Sequence, residues 1–378
     1  AMYANTAYFG RSAQGFTEAS WFYLGKPPEL LEDGQILSIF ATLNNPSERY
    51  PGSPSNTRML AKLASLFDIS RDSVNFATFT QQNQRPRVRT TFFELSSLGI
   101  PCKSSCMLTV DVQLTEKLRG ILADHLDTAE FASVENGAIV VLSARTSELL
   151  AIVGSDRPRD DAPGNKINMA AMPRPIGSTL KPFIYGRAFE KGARPYTLVD
   201  DREYQYMIGT GFAFYPKNYD GAFRGIVTLH EALSNSLNVP SVKALEYAGV
   251  HAFADFLRND LGFRPLQELE EYGLGMALGG LEMDLLTLTH YFSIFPNKGI
   301  LKPLSVGQEN GNALFISTPM GPQFDNERRV MDTPITALIN KILSDRKTSV
   351  DQFGMKSALN LPYADYALKT GTSRDYHD

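Results

Sequence analysis

The sequence lacks the features that mark several large classes of protein. No apolar stretch among its 378 residues is long enough to span a bilayer, and no signal peptide opens the chain at Ala1. Dense lysine or arginine runs are absent and the net charge is −4, which argues against a nucleic-acid surface. The five histidines are scattered without metal-ligand spacing. The two cysteines, Cys102 and Cys106, lack the further ligands of a zinc site, so a pair of free thiols and a small disulfide both stay open.

The composition is that of an ordinary globular protein, with 43% hydrophobic and 21% charged residues. The length favours two domains, and the polar, proline-containing run from Gln81 to Arg87 predicts a linker between them. We expect a helical segment at 1–70, the linker at 71–107 and the second domain at 108–378. Periodicity in the second domain predicts a helix at 114–126, strands at 137–142 and 149–154, a helix-rich stretch at 177–299 and a strand at 366–373.

Three short motifs occur in order along the chain: Ser178-Thr179-Leu180-Lys181, Ser236-Leu237-Asn238 and Lys369-Thr370-Gly371. Singly they are weak signals, because a Ser-x-x-Lys or a Ser-x-Asn arises by chance about once in a chain of this length. Second copies do occur, at Ser344–Lys347 and Ser73–Asn75, whereas Lys-Thr-Gly occurs once. If the three motifs must occur in this order, with room for helices between them, the second copies at Ser344 and Ser73 are excluded.

The first motif suits nucleophilic chemistry. Ser178 opens a predicted helix at 180–189, so its hydroxyl lies where free N–H groups and the helix dipole favour a developing oxyanion. Lys181 lies three residues on, on the same side of one turn. A serine hydroxyl needs a base, and a lysine serves as one when burial or nearby positive charge lowers its pKa. Lys369 would supply that charge. Alone, Ser178 would be taken as a helix cap and Lys181 as a surface lysine.

The other two motifs suit a polar cleft. Thr228 has capping-box spacing to Glu231 and Pro240 fits the first position of a further helix, so Ser236-Leu237-Asn238 is predicted to be a loop between two helices. Without its companions, this motif would be read as a plain helix-to-helix turn. In the third motif Gly371 lets a substrate backbone approach closely. Lys369, Thr370 and Thr372 can bind a terminal carboxylate.

A glycine-rich run from Gly273 to Gly279 imitates a dinucleotide-binding loop. The spacing departs from that fingerprint and no clear strand precedes the run. We therefore expect a close-packed turn there, and no cofactor or metal.

The ordered motifs resemble those of class A penicillin-binding proteins, and most closely the penicillin-binding protein 1C branch. The likeness covers nearly the whole chain. The segments that carry it are Thr109–Leu114, Pro175–Phe183, Ser236–Pro240, Ala277–Gly280, Lys369–Ser373 and, for the 1C branch, Ser357–Pro362. Residues 3–26 resemble the end of a peptidoglycan glycosyltransferase domain whose catalytic glutamates lie upstream. That activity is therefore not expected in this chain, and the resemblance implies further strands and a helix beyond Asp378.

This resemblance implies an α+β fold, in which an antiparallel sheet covered by helices joins an all-helical lobe. It implies that Ser178 attacks the D-Ala-D-Ala carbonyl of a peptidoglycan stem peptide and that Lys181 accepts the proton. Ser236, aided by Asn238, would pass a proton to the leaving D-alanine. The N–H groups of Ser178 and Thr372 would form the oxyanion hole, and Lys369 would line the site.

Several biological expectations follow from the same resemblance. The partners are a stem peptide and β-lactam antibiotics, with no nucleic acid, and a membrane only through an anchor absent from this chain. The location is the extracytoplasmic face of the bacterial cytoplasmic membrane, facing the periplasm. Two alternatives stay open: a D,D-carboxypeptidase or β-lactamase-like hydrolase, which shares the acylation step, and a non-enzymatic β-lactam sensor or scaffold.

Overall fold

The computed structural model describes residues 7–10, 13, 15–43, 45–67, 69, 91–103, 105–128, 134–158, 164–208, 212–321, 324, 326–363 and 365–372. The chain divides into two compact units. One consists of residues 1–97, 112–138 and 153–168, and the other of 98–111, 139–152 and 169–378. The predicted linker at Gln81–Arg87 lies outside the described residues, so the domain boundaries stay a prediction.

The first unit is helical. Its first three helices agree with the helical segment predicted at 1–70, whereas Thr91–Leu95 lies in the predicted linker and Val112–Leu126 in the predicted second domain. Its helices are Phe16–Leu24, Asp33–Phe40, Pro54–Leu66, Thr91–Leu95 and Val112–Leu126, with a 3₁₀ turn at Pro28–Leu30. The helix ends follow local chemistry. Gly25 closes the first helix in the left-handed region, at φ 65°, and the Ser53 side chain caps the third by accepting a bond from the Asn56 N–H. Inside this unit the buried Glu94 carboxylate pairs with the guanidinium of Arg119 at 2.9 Å.

The second unit carries most of the hydrophobic core, and a buried helix runs through it. Its α-helices and short 3₁₀- and π-helices are Gly177–Leu180, Lys181–Glu190, Leu229–Ser234, Asn238–Ala248, Val250–Asp255, Phe256–Asp260, Leu269–Tyr272, Gly273–Leu278, Leu285–Phe292, Thr333–Leu343 and Val350–Phe353. The helix Lys181–Glu190 buries eight of its ten residues, including Phe183, Tyr185 and Phe189. The sequence predicted one apolar face. The helix is instead enclosed on nearly all sides, which fixes the residues at its start.

All strand pairs within the described chain are antiparallel and short. Met107–Leu108, Leu304–Glu309 and Asn312–Ile316 form a three-stranded sheet, and the remaining strands pair in twos: Ile139–Leu142 with Leu149–Val153, Arg174–Pro175 with Glu282–Met283, Leu198–Asp201 with Gly225–Thr228, Tyr206–Ile208 with Phe212–Phe214, and Ile300–Leu301 with Arg328–Arg329. Asn310 and Gly311, both at positive φ, turn the chain between the two long strands of the three-stranded sheet. Helices and antiparallel strands together make the predicted α+β class.

The two cysteines form a disulfide, with their Cα atoms 6.0 Å apart. Of the two interpretations that the spacing allowed, the structure therefore has the disulfide. Glu309 lies close enough to Cys102 and Cys106 for the three to suggest a metal site. Sulfurs that are joined to each other are not thiolate ligands, so these residues do not hold a metal in this state.

Two predictions about local structure are wrong. No strand forms in the described part of the segment predicted at 366–373, because its backbone bonds elsewhere: the Leu368 N–H donates to the Leu343 carbonyl at a helix end. The second helix near Ser236 begins at Asn238, not at Pro240, so Asn238 lies in the first helical turn. In contrast, the capping box at Thr228 and the strands near 139 and 149 are confirmed.

Candidate active site

Ser178 lies in a 3₁₀ turn, Gly177–Leu180, that leads directly into the buried helix. Gly177 has a φ of 55°, and its N–H donates to the Gly279 carbonyl at 3.3 Å. A Cβ placed on Gly279 would lie 2.0 Å from the Gly177 Cα, so both positions need glycine. The glycine-rich run, predicted to be a close-packed turn, forms a 3₁₀ helix at Gly273–Leu278. Of its three glycines only Gly279 is tightly packed, and it supports the turn that carries Ser178.

Lys181 is the first residue of the buried helix and its side chain is fully enclosed. Its Nζ donates to three oxygens: the Ser236 carbonyl at 2.6 Å, the Leu237 carbonyl at 3.2 Å and the Asn238 Oδ1 at 2.7 Å. Burial, and then the charge of Lys369, hold the pKa of Lys181 well below its usual value. A neutral amine has two hydrogens, so Lys181 gives up one of these contacts when it presents a lone pair.

Ser236 connects the two lysines. Its carbonyl accepts a bond from Lys181, while its Oγ accepts a bond from the Lys369 Nζ at 2.8 Å. Its φ is 56°, an unusual value for a residue other than glycine. Strained backbone of this kind persists only where the surroundings enforce it. In this conformation the Ser236 carbonyl faces the amine of Lys181, while the Ser236 hydroxyl faces that of Lys369.

Lys369 approaches from the far end of the sequence. Besides Ser236 Oγ, its Nζ donates to the Thr370 carbonyl at 2.6 Å. Desolvation of the ammonium lowers the pKa of Lys369 to about 7. Because Lys181 and Lys369 repel each other across Ser236, at neutral pH one of them readily serves as a base.

Gly371 and Thr372 lie against the turn of Ser178. A Cβ on Gly371 would fall 2.8 Å from the Ile176 carbonyl oxygen, and one on Gly177 would fall 2.6 Å from the Thr372 backbone nitrogen. The two backbones are therefore in direct contact. This contact brings the Thr372 N–H next to the residue that precedes Ser178.

The structure thus gathers all eight predicted site residues into one region of the second unit. Ser178 is partly exposed, and in the described chain no hydrogen bond joins its Oγ to Lys181 Nζ. The competing Ser344 ends a helix, where its hydroxyl bonds the Lys341 carbonyl at the surface. The other competing motif, at Ser73, lies outside the described residues. Sequence reasoning missed Asn218, whose Oδ1 accepts a bond from the Asn238 backbone N–H, Asp201, which binds Asn218, and the support given by Gly279.

Comparisons with known proteins agree on the family. Residues 137–378 match the model of the penicillin-binding protein transpeptidase domain, and residues 1–66 match that of the transglycosylase. Penicillin-binding protein 1C of Escherichia coli strain K12 is 27% identical over 388 residues, covering 100% of this chain and 47% of that protein. Penicillin-binding protein 1A of Neisseria gonorrhoeae is 33% identical over 252 residues, covering 64% of this chain and 30% of that protein.

The fold agrees as well. The crystal structure of penicillin-binding protein 1A from Haemophilus influenzae matches with a TM-score of 0.59 at 17% identity, covering 99% of this chain and 77% of that one. The chain spans half or less of the length of the curated relatives named above. No helix in the described residues is both long and apolar enough to cross a membrane. Because the transpeptidase match covers more than half of the chain, this protein belongs to the family of penicillin-binding protein transpeptidase domains.

Proposed function

We propose that this chain is a serine D,D-transpeptidase that crosslinks peptidoglycan stem peptides through an acyl-enzyme on Ser178. The observation that carries the proposal is the bridge of Ser236 between two lysines. Residues from three distant segments meet there, and one residue contacts Lys181 through its carbonyl and Lys369 through its hydroxyl. A buried lysine with a lowered pKa, close to an accessible serine, is the arrangement that activates a hydroxyl nucleophile.

In the first half-reaction, Ser178 Oγ attacks the carbonyl carbon of the penultimate D-alanine, and its proton passes to Lys181 Nζ. The carbonyl oxygen becomes an oxyanion that accepts bonds from the N–H groups of Ser178 and Thr372. When the C–N bond breaks, the leaving amine of the terminal D-alanine takes a proton from Ser236 Oγ. Lys181 then returns the proton it took from Ser178 to Ser236 Oγ, while Asn238 Oδ1 orients Lys181 and Lys369 holds the Ser236 hydroxyl in place.

In the second half-reaction, the amine of another stem peptide attacks the ester on Ser178. Its proton returns along the same groups, and the peptide crosslink leaves as product. Lys369, Thr370 and Thr372 would bind the carboxylate of the terminal D-alanine through charge-assisted bonds. A β-lactam presents a strained amide with a carboxylate at the matching place, so it would acylate Ser178 without a diffusible leaving group.

The setting we propose is the extracytoplasmic face of a bacterial cytoplasmic membrane, where stem peptides are available. A membrane anchor and glycan polymerisation would belong to the whole protein. The motifs alone do not separate transpeptidation from hydrolysis of the same acyl-enzyme, because both share the first half-reaction.

The test uses the full-length protein, wild type and Ser178→Ala, with fluorescent penicillin and then with stem peptides. We expect a stoichiometric covalent label on the peptide containing Ser178 and no label on the variant. Persistent labelling of Ser178→Ala, or a label on the peptide containing Ser344, refutes the assignment. With a donor peptide and an amine acceptor, crosslinked product supports transpeptidation. Release of D-alanine with water as sole acceptor indicates a hydrolase, and acylation without turnover indicates a sensor.

A further inference from the structure

A buried polar chain stands behind Asn238. The Asp201 carboxylate is fully buried, and both of its oxygens accept bonds from Asn218 Nδ2, at 3.0 and 2.8 Å. The Arg224 backbone N–H donates to the same carboxylate at 2.8 Å. Asn218 is itself buried, and its Oδ1 accepts the bond of the Asn238 backbone N–H at 2.8 Å. Asp201, Asn218 and Arg224 belong to none of the three motifs, and the chain meets a motif only at Asn238.

Each contact in this chain fixes the next. A carboxylate only accepts hydrogen bonds, so Asp201 forces Asn218 to turn its NH₂ group inward and its Oδ1 toward Asn238. The bond from Asn238 N–H then anchors the first turn of its helix. With the backbone anchored, the Asn238 Nδ2 donates to the Lys217 carbonyl at 2.6 Å, which leaves Oδ1 for Lys181. The Ala222 carbonyl accepts a further bond from Asn218 Nδ2 at 2.8 Å and favours the same orientation of Asn218, while the Lys217 carbonyl orients the amide of Asn238.

We propose that Asp201 and Asn218 are positioning residues for the transpeptidase reaction: they hold the Asn238 amide with its oxygen toward Lys181. The inference rests on the proposed function of Ser178 and Lys181. A flipped Asn238 amide would aim two N–H donors at the lysine. That orientation would repel the ammonium and would compete with Ser178 for the lone pair of the neutral amine. Asp201 and Asn218 are both buried, and they act through Asn238.

The loop that carries Asn218 is fixed at its end, which keeps Asn218 in place against Asp201 and Asn238. Pro216 and Asn218 point inward while Tyr215, Lys217 and Tyr219 are exposed. At its end, the Arg224 guanidinium binds Asp220 at 2.6 Å and Asp351 at 2.9 Å. Among the described residues, the charged or titratable groups around Asn218 include Asp201, which accepts its bonds, and Tyr185, which interacts electrostatically with Asp201. They also include Lys217 next to it, Lys181 on the far side of Asn238, and Arg224 with its two partners, Asp220 and Asp351.

The experiment measures penicillin acylation of the full-length protein by stopped flow, which separates non-covalent affinity from the acylation rate constant. Asn218→Ala removes the bridge. Asn340→Ala is the matched control, since the side-chain bond of Asn340 in the described chain goes to the Phe295 carbonyl and not to a motif residue. We expect Asn218→Ala to lose about 10- to 100-fold in acylation rate, the cost of a misplaced catalytic group, with affinity changed less than about threefold. Asn340→Ala should keep the wild-type rate.

A second variant separates positioning from folding. Asn218→Asp at neutral pH sets two carboxylates against each other, so one of them binds a proton more readily. The protonated carboxyl can donate to Asp201 and accept from the Asn238 N–H, as the amide does. We expect the deficit of Asn218→Asp relative to wild type to shrink as pH falls from 8 to 5, at pH values where thermal scans show both proteins folded.

Equal acylation rates for Asn218→Ala and Asn340→Ala overturn the positioning role. So does a deficit of Asn218→Asp that stays constant with pH in the folded protein. Either result leaves the proposed function intact, because Ser178→Ala and the wild type test that function separately.

Discussion

Replacing Gly177 with alanine tests how closely the turn of Ser178 is held against the segment of Thr372. Gly177 has a φ of 55°, so an alanine there costs about 1–2 kcal/mol in backbone strain. The new Cβ would also lie 2.6 Å from the Thr372 nitrogen, 2.9 Å from its carbonyl carbon and 2.7 Å from its carbonyl oxygen. These are backbone atoms, which cannot rotate away as a flexible side chain does.

The size of the effect follows from those distances. Ordinary contact with a Cβ begins at 3.4 Å, so Thr372 must move away by about 0.8 Å. Thr372 N–H is proposed to bind the oxyanion, and Lys369 lies three residues earlier on the same segment. A shift of 1 Å at such groups can cost about a hundredfold in rate. We therefore expect Gly177→Ala to reduce the acylation rate roughly 30- to 100-fold.

Gly311→Ala provides the control. Gly311 also has a positive φ, 81°, but no atom lies within 4 Å of its Cβ position, and it occupies a hairpin turn away from the site. Both variants should lose stability through backbone strain, measurable in thermal unfolding, and Gly177→Ala should lose more because its Cβ also meets the Thr372 backbone. Only Gly177→Ala should lose acylation, measured with fluorescent penicillin at a temperature where both are folded. Equal acylation rates for the two variants would show that the contact with Thr372 does not position the oxyanion donors.

Three further predictions use other parts of the molecule. Lys369 is charged below its pKa of about 7, so the acylation rate of the wild type should fall as pH rises through that value. Lys369→Arg should have a lower maximal rate but no such fall at alkaline pH, because an arginine stays charged. A wild-type rate that is flat from pH 6 to 9 contradicts the requirement for a charged Lys369. Glu94→Gln removes the buried carboxylate that faces Arg119 and leaves the half-buried Glu116, 3.5 Å from Arg119 Nε, as its ion-pair partner. This variant should lower the free energy of unfolding by about 3 kcal/mol in urea titrations, while a loss under 1 kcal/mol would disprove the role of the Glu94–Arg119 pair. Cys102→Ser with Cys106→Ser should cost about 2 kcal/mol or less and leave acylation unchanged, since the closed loop is short; two free thiols in protein from an oxidising compartment would contradict the disulfide itself.

Most residues of the candidate site could be predicted from the sequence because they belong to short sequence motifs. Ser178 and Lys181 share one turn, and spacing alone places them together once a helix is assumed. The ordered triplet then predicted that Lys369 would approach Lys181. In the structure the two ammonium groups contact different atoms of Ser236.

Other parts were not predictable from local pattern. The segment around Lys369 has strand-like composition, but a strand requires a partner, and the partner is a tertiary property. Here the Leu368 N–H meets a helix end instead. The start of the helix at Asn238 was placed two residues late because proline favours the first turn without fixing its position within that turn. The hairpin at Asn310-Gly311 carried a clear turn signal that the prediction did not use.

Sequence patterns did not identify the two residues that hold Asn238, and the reason is physical. Asp201 and Asn218 lie 37 and 20 residues before Asn238 in the sequence, with no shared motif and no periodic relation. The burial of Asp201 depends on the packing of a short strand, and no local rule predicts that a particular aspartate becomes buried. Short motifs identify groups that contact substrate, while the groups that orient them are recognised only through contacts. Ser236 shows the same difference between local pattern and tertiary contact. The motif identifies the residue, but its positive φ, which directs its two oxygens to two lysines, is imposed by the surrounding fold.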